Sequence, residues 1–86
     1  MEYIIVAFRS RTHTVKFFEY LQKANLSGEI VNTPKEAGVG CGLSVKVSLG
    51  KFNLVKRAVA FTNLSSFAGF FAVKTIAGKK IVRPIF

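Results

Sequence analysis

Six consecutive apolar residues near the start, Tyr3-Ile4-Ile5-Val6-Ala7-Phe8, restrict this chain more than any other feature. The run is β-branched in its middle and leaves no polar alternation, so neither face of an extended segment suits water. It reads as a strand buried at the centre of a sheet. The rest of the chain must supply its neighbours.

Polar Arg9-Ser10-Arg11-Thr12 follows, and Ser10 or Thr12 can cap a helix by accepting backbone N–H groups. From Arg11 to Asn25 the period is helical. Val15, Phe18 and Leu21-Gln22 form one stripe, widened by Phe17 and Ala24, while Lys16, Glu19 and Lys23 fall outside. Asn25 and Gly28 are stop signals. Glu29–Thr33 reads as a short strand ended by Pro34, which has no N–H for a ladder. Leu43–Ser48 alternates with period two, with Leu43, Val45 and Val47 inward and Ser44 and Lys46 outward. Lys51–Asn63 is a second helix with Phe52, Val55 and Val59 inward, joined by Leu54, Ala58 and Phe61. Phe67–Thr75 is a strand, Ala77-Gly78-Lys79 a turn, and Lys80–Ile85 a short last strand that Pro84 confines to an edge. The order is β-α-β-β-α-β plus one strand. It predicts an α+β, ferredoxin-like βαββαβ domain over residues 1–86, with an antiparallel sheet and two helices on one face.

Composition narrows the chemistry. One Cys excludes an internal disulfide and any multi-cysteine metal centre. One His and four scattered Glu, with no Asp, make a metal site or a self-contained hydrolase a poor fit, and no cofactor is expected. The 13 Lys and Arg against four acids give a net charge of +9. Such a balance suits an anionic partner: nucleic acid, an acidic protein surface or anionic lipid. No basic region precedes an apolar stretch, so no secretory leader is expected and a cytoplasmic location follows. Ala58–Val73 is uncharged for sixteen residues, but Thr62, Asn63, Ser65 and Ser66 interrupt it and it is too short to span a membrane.

The lone thiol lies in Thr33-Pro34-Lys35-Glu36-Ala37-Gly38-Val39-Gly40-Cys41-Gly42-Leu43. A structural cysteine prefers an apolar run; a reactive one wants a bare backbone and nearby positive charge. The expected topology brings Arg9–His13 and this loop to one edge of the sheet. There the positive end of the first helix, with Arg9, Arg11 and Lys35, favours thiolate over thiol. Gly40 and Gly42 leave backbone N–H groups uncovered, Thr33 and Pro34 shape the loop, and His13 is a candidate base or ion-pair partner. The competing reading is an inert cysteine in an ordinary connection, in a basic module that binds protein or nucleic acid. The loop is not a phosphate cradle, because the GxxxxGK[ST] and GxGxxG spacings are absent. An RNA-recognition module would place aromatics on its central strands, and Leu43–Ser48 has none. Base stacking is disfavoured, while binding to a phosphate backbone stays compatible with the charge. A strand at Phe67, if placed at a sheet edge, offers pairing to a second copy.

FRSRTH (Phe8–His13), TPKE (Thr33–Glu36) and CGL (Cys41–Leu43) carry a resemblance. The chain resembles the small bacterial family of selenium/sulfur carrier-like domains over roughly its first 75 residues, on its TP[RK]E…CGL element. The resemblance implies a carrier whose Cys41 takes sulfur or selenium as a persulfide or selenosulfide from a donor protein and passes it to an acceptor. Two departures stand out. Serines commonly precede the family cysteine, where this chain has Gly38-Val39-Gly40, and the stretch from Gly78 onward has no counterpart.

Overall fold

A computed structural model of the chain describes residues 2–85. The elements are β1 (Glu2–Phe8), α1 (Arg11–Lys23), β2 (Glu29–Asn32), a 3₁₀ turn (Lys35–Ala37), β3 (Leu43–Ser48), a second 3₁₀ turn (Leu49–Lys51), α2 (Phe52–Thr62), β4 (Phe67–Ile76) and β5 (Lys79–Ile85). The five strands form one sheet in the order β2-β3-β1-β4-β5. Every neighbouring pair is antiparallel. The apolar run of β1 is therefore the central strand, as its lack of alternation requires.

Both helices cover the same face. Ile4, Val6 and Phe8 of β1 pack there with Phe17 and Leu21 of α1, Val55 and Ala58 of α2, and Val45, Val47, Phe70 and Ala72 of the neighbouring strands. The opposite face of β1 is equally apolar and also needs cover. Ile5 and Ala7 are buried there with Phe71 and Val73, beneath Ala37 and Val39 of the β2–β3 connection. Covering this second face is what folds the cysteine loop back against the sheet, so the position of Cys41 follows from the composition of β1.

Several side chains sit differently from the sequence expectation. In α1 the buried stripe is Thr14, Phe17 and Leu21, whereas Val15 is 40% exposed. Thr14 tolerates burial because its hydroxyl donates to the Ser10 carbonyl one turn back, 3.1 Å away. In α2, Phe61 is 76% exposed and its ring stacks on Tyr20 rather than entering the core; Leu54 also faces outward. Ser44 faces away from the helices as expected, but it is fully buried, because its hydroxyl lies 2.6 Å from that of Thr33 under the returning loop. The strand beginning at Phe67 is internal, since β5 pairs along its outer side. Pro84 does lie in an edge strand, β5.

Candidate functional site

Phe8 ends β1 and anchors two things at once. Its fully buried ring packs 5.3 Å from Phe17 of α1 and 5.8 Å from Phe67 at the start of β4. Its carbonyl accepts the Cys41 N–H at 3.1 Å. The core residue and the thiol loop thus share one peptide unit. The register against β4 slips between Ala7 and Phe8; in the Phe8–Arg9 peptide the N–H goes to Ser66 before β4 and the carbonyl, on the opposite side, to Cys41.

The loop itself is fixed at both ends. Thr33 N–H donates to the Gly42 carbonyl at 2.9 Å, closing it at the base. Gly38, Gly40 and Gly42 all have positive φ, a region that disfavours side chains. At Gly40 a Cβ would lie 3.3 Å from the Phe8 carbonyl oxygen. Glycine there lets the chain come close enough for the neighbouring Cys41 N–H to reach that carbonyl.

Cys41 is half-buried, with its thiol free. Among the described residues its polar neighbours are the Thr14 hydroxyl and the Leu43 carbonyl, each 3.6 Å from Sγ. The Thr14 hydroxyl has one proton and three places to send it: the Ser10 carbonyl at 3.1 Å, the Leu43 carbonyl at 3.5 Å and the sulfur. While it serves a carbonyl, its lone pairs accept from S–H. Once the sulfur has lost its proton, a turn of one bond lets the same hydroxyl donate to the thiolate. This residue lies outside the sequence-based candidate set. Its signal is its place at i+4 from Ser10 and at i−3 and i−7 from Phe17 and Leu21, a polar residue in an apolar helical stripe.

Ser10 caps α1, accepting the His13 N–H on its hydroxyl at 3.2 Å. A second tie comes from the connection after α2. The Ser66 carbonyl accepts Arg9 N–H at 2.8 Å, and its hydroxyl accepts Ser10 N–H at 3.2 Å. That hydroxyl is also 2.6 Å from His13 Nδ1. A hydroxyl oxygen can accept twice, so the donor in that contact follows the His13 tautomer. Phe8 and Thr14, the residues on either side of Arg9–His13, touch Cys41, while the His13 ring has its partner in Ser66. Arg9, Arg11 and Lys35 are exposed; Thr33 and Pro34 are half-buried. With Gly38, Val39, Gly40 and Gly42, the residues Thr33, Pro34 and Lys35 line a shallow hollow on the loop, one that Cys41 does not line. No group of three His, Cys, Asp or Glu able to hold a metal ion occurs among the described residues, and no helix among them is long and apolar enough to cross a membrane.

A family model described as "Putative Se/S carrier protein-like" matches residues 2–65. The chain belongs to that Se/S carrier protein-like family. The match spans β1 through α2 and includes the whole Cys41 loop, but it stops short of β4 and β5. The Se/S carrier-like segment is thus completed by a hairpin from outside the matched stretch. No curated protein and no solved structure matches the chain significantly.

Proposed function

We propose that this chain carries sulfur or selenium on Cys41, receiving it from a donor protein and delivering it to an acceptor. The observation that supports the reading best is the mounting of the thiol. It is half-exposed on a glycine loop, held by a main-chain bond to the end of the central strand, with a buried hydroxyl beside the sulfur. In the transfer, the Cys41 thiolate attacks the outer sulfur of a donor persulfide. The S–S bond of the donor breaks, a new S–S bond forms on Cys41, and the donor cysteine leaves as a thiolate. Nothing is oxidised or reduced overall, so the carrier needs no cofactor. Thr14 serves the charged sulfur as hydrogen-bond donor. Arg9, Arg11 and Lys35 supply surrounding positive charge. Gly40 and Gly42 keep the approach clear, Thr33 and Pro34 set the loop, and His13 stiffens the start of α1 through Ser66. A free, transferable thiol fits a reducing, cytoplasmic setting.

The matching reading of the architecture is a single ferredoxin-like domain with one strand added. Its support is the order β2-β3-β1-β4 for the first four strands, with both helices on one face. Intact mass spectrometry without reductant, after incubation with a cysteine desulfurase and cysteine, tests the carrier function. The wild type is expected to gain the mass of one sulfur atom and Cys41→Ser to gain none. No gain on the wild type, with the desulfurase shown to be active, would refute it.

A further inference from the structure

After Glu36 the chain contains no acidic residue, yet Lys46, Lys51, Lys56, Arg57, Lys74, Lys79, Lys80 and Arg83 all lie there. The last four sit on the β4–β5 hairpin, outside the family match. The pairing register sets Ala72, Lys74 and Ile76 of β4 opposite Arg83, Ile81 and Lys79 of β5. Because side chains alternate along a strand, these six share one face. The helices shield that face only as far as Ala72. Beyond it Ile76 is 47% and Ile81 43% exposed, interleaved with Lys74, Lys79 and Arg83. Ile76, Ile81, Lys74 and Arg83 line one shallow hollow with Glu2. Among the described residues the one ion pair is Lys46 with Glu29; Glu2 stands opposite Lys74 in the β1–β4 register without closing a second one. Alongside the hairpin cations runs β5, the outer strand of the sheet, with a row of main-chain groups turned outward.

We propose that this hairpin docks an extended acidic segment of a partner protein, with apolar side chains spaced between its carboxylates, laid along β5. Three observations select that occupant. A second copy would bring its own Lys79, Lys80 and Arg83 to the seam, and like charges facing each other across a strand pair repel. A nucleic-acid backbone would satisfy the cations but offer no apolar surface to Ile76 and Ile81. An added strand meets both needs, since it pairs main chain to main chain and presents alternate side chains to one face. Pro84 has no N–H to offer, which keeps the added strand short. Nothing in this docking involves Cys41.

The test is fluorescence anisotropy with a labelled short peptide alternating Glu and Val, titrated with the full chain. Saturable binding is expected, weakened roughly tenfold or more by Lys79→Glu with Arg83→Glu. A control reversal of the same size on α2, Lys56→Glu with Arg57→Glu, should weaken it less than about threefold. Cys41→Ser should bind like the wild type, so a failure of sulfur loading leaves this result intact. All altered side chains are exposed apart from the half-buried Cys41, and circular dichroism checks that each variant folds. The proposal is overturned by absence of saturable binding, by equal losses in the two reversals, or by duplex DNA binding the hairpin more tightly than the peptide.

Discussion

At the residue scale, one side chain separates a thiol in a loop from a thiol with a chemical environment. Thr14 is fully buried and reaches the sulfur from the first turns of α1. Thr14→Val keeps the shape and removes the only hydroxyl within reach of Sγ among the described residues. Alkylation of Cys41 by iodoacetamide at neutral pH should slow about threefold to tenfold, the loss expected when a neutral donor to a developing anion disappears. Stability should change by less than about 1.5 kcal/mol, because the Ser10 carbonyl still accepts the Thr14 main-chain N–H. An unchanged alkylation rate would make the hydroxyl a packing feature only. The cysteine and its glycines were legible from residue type and chain order. Thr14 was not, because a threonine in a helix carries no mark of what lies opposite it. Its importance comes from a contact 27 positions away in the chain.

At the element scale, the strands were more legible than the helix faces. The alternation of Leu43–Ser48 and the unbroken run of Tyr3–Phe8 have one plausible reading each. For α1, Val15 looks like core and Thr14 does not, yet their burial is reversed, since a local hydrogen bond removes the penalty on the threonine. For α2, the stacking of Phe61 on Tyr20 gives an aromatic residue a place outside the core. The β4–β5 turn allows a sharper test. Ala77 and Gly78 form a two-residue hairpin loop with φ of 51° and 78°. Positive φ at both positions is the geometry that favours Asn-Gly, and alanine there is strained. Ala77→Asn should stabilise the chain by about 0.5–1 kcal/mol in urea unfolding. No gain would mean that the hairpin is already open when the rest of the molecule unfolds.

At the scale of the whole molecule, the family segment and the folding unit do not coincide. The match ends at residue 65, but β4 pairs with β1 from Glu2 to Phe8, and Phe70 and Ala72 belong to the main core. A chain cut after residue 65 should therefore be unfolded by circular dichroism and should not load sulfur. A chain cut after Ile76 loses only β5. It should keep its secondary structure but expose the long apolar flank of β4, and light scattering should show it associating. A monodisperse product from the second cut would mean that neither the pairing nor the charges of β5 are needed to keep copies apart.

The central place of β1 also governs how this protein comes into being. Of the five strands β1 is synthesised first, yet its partners β3 and β4 come after α1 and β2, with β4 after α2 as well. A nascent chain therefore carries an apolar strand with both edges and both faces open until nearly all the sheet has left the ribosome. Its completion waits for β4, and during that interval a ribosome-associated holdase has a natural client in residues 3–8.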